Sequence, residues 1–128
     1  VRKNGAASFV NELYPKLFGE IYKSSHPDKI DALKKLGTEV SSTEGIAAAA
    51  LAMRDRKETT DALRKSSVPV LFIIGKEDKV VPAEKTLQQT HLPSQASICL
   101  LDGVAHMGMF ETTEQSRTAI REWLTLFS

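Results

Sequence analysis

The 128 residues are 41% hydrophobic and 26% charged, with a formal net charge of +1, enough apolar content for one domain with a single modest core. Acidic and basic residues are interspersed apart from short clusters such as Arg54-Asp55-Arg56-Lys57-Glu58, so the chain offers no electrostatic footprint for nucleic acid or an anionic membrane surface. Its longest near-apolar stretch, Ile46–Met53, has eight residues, far short of the roughly 20 that a membrane-crossing helix needs.

Residues 1–66 read as helix throughout. Ala6, Phe9, Val10, Leu13 and Leu17 recur at three- and four-residue spacing, which places them on one helical face. Pro15 lies inside that pattern and predicts a break or kink, because it lacks a backbone donor and crowds the preceding turn. Gly19 is a stop signal. His26-Pro27-Asp28 opens a second helix with Pro27 in its first turn, where the missing N–H has no intrahelical partner to lose. Ile30, Leu33, Leu36 and Val40 are its apolar set. Ser41 and Glu44 have the spacing of a capping box ahead of the Ala-rich run Ile46–Met53, whose small side chains predict close helix packing. A short helix around Thr60–Lys65 completes this half.

The character changes at Ser66-Ser67, and residues 67–128 read as βαβα. Val68-Pro69-Val70-Leu71-Phe72-Ile73-Ile74 is continuously apolar and bounded by Ser and Gly75, the pattern of a parallel strand covered on both faces. Pro69 sits near its start, where a strand tolerates proline. A helix from Pro82 to about Thr90 leads to a second strand, Ser97–Leu101. Thr112 and Gln115 then repeat the capping-box spacing before Ser116, Ala119, Ile120, Trp123, Leu124 and Phe127, which share one helical face. The fold class is therefore α/β, with a helical segment followed by two parallel strands. Two strands are too few to stand alone, so their exposed edges are expected to pair with further chain or with a second copy.

One cysteine, Cys99, rules out an internal disulfide, and no Cys/His spacing suggests zinc. A reducing, cytoplasmic setting is the expectation, with no metal and no cofactor. Residue 1 is Val, with no basic-then-apolar leader after it; a signal further upstream would be invisible here.

In open α/β sheets the functional residues lie beyond the carboxyl ends of the strands. After the first strand comes Gly75-Lys76-Glu77-Asp78-Lys79-Val80-Val81-Pro82, and after the second Asp102-Gly103-Val104-Ala105-His106-Met107. A carboxylate and an imidazole thus fall on neighbouring loops at one sheet edge. That placement suits an acid that orients a histidine, selects its tautomer and stabilises the imidazolium formed when it takes a proton.

These residues also carry a family resemblance. Val68 to Pro82 resembles the strand and acid loop of α/β-hydrolases, whose pattern is roughly P-x-L-x-I-x-G-x-x-D-x-x-x-P, and Leu101–Met107 resembles their final strand and histidine loop. Glu111 matches an acidic residue common a few positions later. The likeness is close over residues 68–127. Residues 1–66 resemble, less specifically, the helical cap or lid that such enzymes insert after strand six. The order of acid then histidine agrees with the family order of Ser, Asp, His. The resemblance implies that Asp78 is the triad acid and His106 the general base. Ala105 departs from the glycine usual before that histidine. The larger departure is that no G-x-S-x-G elbow occurs in the 128 residues, so neither the nucleophile nor the oxyanion donors that follow it are included. The chain is expected to be the C-terminal part of a hydrolase acting on an ester or related bond of a small apolar substrate, and to be inert alone.

Three residues after the base, Met107, Met109 and Phe110, are candidates for a substrate-pocket wall, with core packing as the competing role. Phe9, Tyr14, Phe18 and Tyr22 read as helix–helix core, with an apolar lid face toward substrate as the competing role. His26 reads as a residue that caps or precedes a helix, His91 as one near a helix C-terminus, and Cys99 as an inert small hydrophobe. Two other functions compete with the serine hydrolase. An aspartate nucleophile in the same frame serves dehalogenases and epoxide hydrolases. A non-catalytic binding module would keep the fold alone, but such a module has no need of both Asp78 and His106.

Overall fold

A computed structural model describes residues 5–127. The first half is a series of helices: α1 (Gly5–Leu17), α2 (Glu20–Ser25), α3 (Pro27–Val40), α4 (Thr43–Asp55) and α5 (Thr60–Arg64). The second half alternates: β1 (Val70–Gly75), α6 (Ala83–Leu87), β2 (Ala96–Leu101), α7 (Gly108–Glu111) and α8 (Thr113–Leu126). This is an α/β architecture in which a helical segment precedes two parallel strands and their helices. Among the described residues no helix is long and apolar enough to cross a membrane.

Helix α1 runs through Pro15 and ends two residues later. Proline costs a helix one hydrogen bond and a steric adjustment, and so close to the end few later turns depend on that bond. The chain then reverses at Phe18-Gly19 and forms α2, which the apolar spacing does not announce because six residues carry too little of the period. His26 occupies the N-cap position of α3 without a side-chain hydrogen bond to the helix, and Pro27 is its first residue. The His26 ring stacks instead on Tyr22, with centroids 4.5 Å apart.

Phe18, Tyr22 and Ile30 form the buried cluster of this half, with Leu17, Leu33 and Met107 packed against it. Phe18 and Tyr22 stack at 5.3 Å, within the range favoured for aromatic pairs. Of the apolar set of α3, Ile30 is buried and Leu33 half-buried, whereas Leu36 and Val40 face outward. The inward face is Ile30, Leu33 and Gly37, spaced by three and four residues.

Two expected capping boxes are corrected. The N-cap of α4 is Ser42, whose Oγ accepts the Gly45 N–H at 2.9 Å, one residue later than the Ser41–Glu44 register. At Thr112, the N-cap of α8, no side-chain cap bond forms, because the preceding turn of α7 leaves it with φ −145° and ψ 65° rather than extended backbone. The Ala-rich run does not pack closely either. None of the residues of α4 is buried, since α4 touches the rest mainly along α1, where the Ala6 N–H donates to Thr43 Oγ1 at 3.2 Å.

Strands β1 and β2 pair in parallel, from Val70 opposite Ala96 to Gly75 opposite Leu101. Along β1 every residue is at least half-buried. Strand β2 instead alternates, leaving Ile98 and Leu100 48% and 46% exposed. The expectation of burial on both faces therefore holds for β1 and fails for β2, one face of which carries no covering helix among the described residues.

Candidate active site

The site begins where the two strands end. Past Gly75 the acid loop is stitched to the histidine loop through backbone: Lys76 N–H donates to Leu101 O at 3.0 Å and Glu77 N–H to Val104 O at 2.9 Å. The approach is so close that a Cβ on Gly75 would stand 2.0 Å from Ala105 O and 2.6 Å from Val104 O. No side chain fits there, which is why glycine closes the strand. Lys76 and Asp102 also pair across the loops at 2.5 Å, but both are exposed and such pairs contribute little.

Asp78 then turns back on its own loop. Its Oδ1 accepts the N–H groups of Val80 and Val81 at 2.8 and 2.9 Å, a local turn typical of aspartate. Its Oδ2 faces His106 Nδ1 at 2.7 Å. An ionised carboxylate only accepts, so Nδ1 carries the proton and Nε2 is left with its lone pair. Among the described residues nothing hydrogen-bonds Nε2. The Asp78 side chain is 11% exposed and that of His106 35%, so the acid is shielded while the imidazole keeps an open side. The arrangement can take a proton at Nε2 and stabilise the resulting imidazolium from behind.

The backbone of His106 is held as firmly as its ring. Its N–H donates to Leu17 O at 3.0 Å. The neighbouring N–H groups of Ala105 and Met107 both donate to Glu111, at 3.1 Å to Oε1, and Gly19 N–H reaches Oε2 of the same carboxylate at 2.8 Å. Ala105, in place of the family's usual glycine, is buried and makes these bonds without positive φ.

A cleft of about 380 Å³ contains Asp78 and His106 and is walled by Ile74, Met109, Ser116 and Ile120. A second cleft, of about 440 Å³, lies beside the acid loop between Phe18, Glu20, Lys23, Glu77 and Lys79. There the hydrogen bond from the Lys23 ammonium holds the Glu20 carboxyl below its ordinary range. Neither Asp78 nor His106 opens into it, so the first cleft is the candidate site. Of the three pocket-wall candidates after His106, Met109 lines that cleft, Met107 packs on the Phe18 cluster, and Phe110 meets Phe18 edge-on at 6.5 Å. Cys99 is half-buried within β2. His91 stands exposed in the turns after α6.

No family model matches the sequence, and no curated protein matches it significantly. Solved structures do match. A thermophilic esterase from Thermogutta terrifontis, with malate bound, is 31% identical with a TM-score of 0.88, over 98% of this chain and 46% of that one. An enol-lactonase from Burkholderia xenovorans is 18% identical with a TM-score of 0.86, over 97% and 46%. An alpha/beta hydrolase from a Medee basin deep-sea metagenome is 15% identical with a TM-score of 0.74, over 94% and 50%. The chain spans about half the length of these structures. What it carries is a partial α/β-hydrolase fold.

Proposed function

We propose that this chain supplies the acid and the base of a Ser-Asp-His hydrolase, with Asp78 as the acid, His106 as the general base and the nucleophile contributed by polypeptide outside these 128 residues. The observation that carries the reading is the 2.7 Å contact between Asp78 Oδ2 and His106 Nδ1 at the carboxyl edge of two adjacent parallel strands, with His106 lining the cleft and, among the described residues, no hydrogen bond to its Nε2. Residues 1–66 serve as the helical cap segment of the parent enzyme and residues 67–128 as part of its catalytic core. The substrate is a small apolar ester. The apolar wall of the cleft favours it, and attack on an ester carbonyl is the chemistry common to an esterase and an enol-lactonase. A binding module would need neither the shielded carboxylate nor the open imidazole.

In the reaction, Nε2 takes the hydroxyl proton of the serine as its oxygen bonds to the ester carbonyl carbon. Asp78 stabilises the imidazolium, and the oxyanion is held by backbone N–H groups that also lie outside this chain. The imidazolium then protonates the leaving alkoxide as the C–O bond breaks. Water, deprotonated by the same Nε2, attacks the acyl-enzyme, and the proton returns to the serine oxygen as the acid departs.

The test has two arms. The 128-residue chain should hydrolyse an activated p-nitrophenyl ester no faster than its denatured control. The full-length protein should turn the ester over and lose that activity on His106→Ala. Turnover by the chain alone that disappears with His106→Ala would overturn the outside-nucleophile reading, and an active full-length His106→Ala would overturn the role of the base.

A further inference from the structure

We infer that Glu111 is a positioning residue for His106, and that it ties the imidazole to the α1–α2 junction of the helical segment; the inference rests on the base role proposed above. Glu111 ends α7 with its half-buried carboxylate turned back beneath the histidine loop. Oε1 accepts from Ala105 N–H and Met107 N–H, both at 3.1 Å. Oε2 accepts from Gly19 N–H at 2.8 Å, and from Ala105 N–H at 3.2 Å. The residues on either side of the base thus hang from one carboxylate, while His106 N–H itself goes to Leu17 O at 3.0 Å. Every backbone donor of residues 105–107 is committed, and both anchors, Glu111 and Leu17, meet the chain at residues 17–19.

The junction leaves no slack. A Cβ on Gly19 would stand 2.9 Å from Gly103 O and 3.0 Å from Glu111 Oε2, so the helical segment approaches the histidine loop at backbone contact. Among the described residues the ring makes one side-chain bond, at Nδ1, which leaves it free to swing about the Asp78 contact unless its own backbone is fixed. Glu111 supplies that fixation. It is a charged acceptor for three N–H groups, and charge-assisted hydrogen bonds are about twice as strong as neutral ones. Displacement of α1–α2 would pull on Gly19 N–H and Leu17 O and reach Nε2 through the same carboxylate.

Glutamine at 111 separates positioning from mere loop support. Its single carbonyl can serve the Ala105–Met107 pair or Gly19 but not both, because its NH2 would face a donor. In the full-length protein, Glu111→Gln should lower kcat by roughly 10–100-fold, the effect expected when a reacting group is misplaced by up to about 1 Å. KM should stay within about twofold, as befits a residue that does not touch substrate. In the 128-residue chain, the His106 Nδ1–H proton should exchange with solvent at least tenfold faster in Glu111→Gln than in wild type. Equal kcat and equal Nδ1–H exchange, with only a lower unfolding midpoint, would overturn the positioning role and leave Glu111 a structural tie. Should Glu111→Gln fail to fold, wild-type hydrogen exchange decides: the Gly19, Ala105 and Met107 amides should open together, and Gly19 exchanging more than tenfold faster than the other two would overturn the tie. His106→Ala in the same kinetic assay keeps the two readings apart. A fully active His106→Ala overturns the base role itself, whereas an inactive His106→Ala beside an unimpaired Glu111→Gln overturns only the positioning.

Discussion

Replacing Asp78 with asparagine should invert the tautomer of His106. The amide has one acceptor and one donor end. Placed with its carbonyl on the Val80 and Val81 N–H groups, at present 2.8 and 2.9 Å from Oδ1, it turns NH2 toward His106 Nδ1. That nitrogen must then accept, and the proton moves to Nε2. The opposite rotamer would keep the tautomer but set NH2 against two backbone donors. Leaving two N–H groups unpaired costs at least roughly 2 kcal/mol, a preference of about 30-fold for the inverted form. Long-range proton–nitrogen correlation on histidine-labelled chain, at a pH where the ring is neutral, reads the outcome directly. Wild type should show protonated Nδ1 and Asp78→Asn protonated Nε2. In the full-length protein the same change should reduce kcat by about 10⁴-fold, since Nε2 no longer has a lone pair for the hydroxyl proton. Protonated Nδ1 in the variant, or protonated Nε2 in wild type, would refute the reasoning from donor count.

Three further outcomes follow from the packing. Gly75→Ala forces a methyl into the Ala105 and Val104 carbonyls and should destabilise by about 1–3 kcal/mol or more; an unchanged urea midpoint would show that the loops part freely. Phe18→Ala, deleting the centre of the helical cluster, should cost about 3–5 kcal/mol, and a loss under 1 kcal/mol in the same titration would mean that this cluster adds little to the cooperative unit. Ser42→Ala should cost about 1 kcal/mol by removing a helix cap while Ser41→Ala is near neutral, and the reverse ranking would restore the earlier capping register.

The juxtaposition of Asp78 and His106 was legible because a parallel strand pair puts the loops after its strands at one end and because both strands are marked by strongly apolar runs. Residues whose role depends on distant backbone were not. Glu111 is recognisable in sequence only as a common acidic residue, since its partner at Gly19 is 92 positions away and backbone N–H groups leave no trace in residue identity. Helix α2 was hidden by its shortness. The cap of α4 was misplaced because Ser41 and Ser42 are chemically equivalent, and the choice between them is made by where the backbone becomes extended. Spacing alone groups Leu36 and Val40 with Ile30 and Leu33, yet the close approach of Gly37 to Tyr14 rotates the contact face toward Gly37 and leaves both exposed.

Gly75 bears on how freely this scaffold can change. Because the two loops abut main chain against main chain, their separation works like a dovetail joint, set by the shape of the peptide rather than by the choice of neighbouring side chains. Strand faces can be repainted with other apolar residues while the acid-to-imidazole gap keeps its gauge. The exposed Ile98 and Leu100 and the cleft wall at Ile120 and Met109 are thus places where sequence can drift, or be redesigned, without changing the spacing of Asp78 and His106.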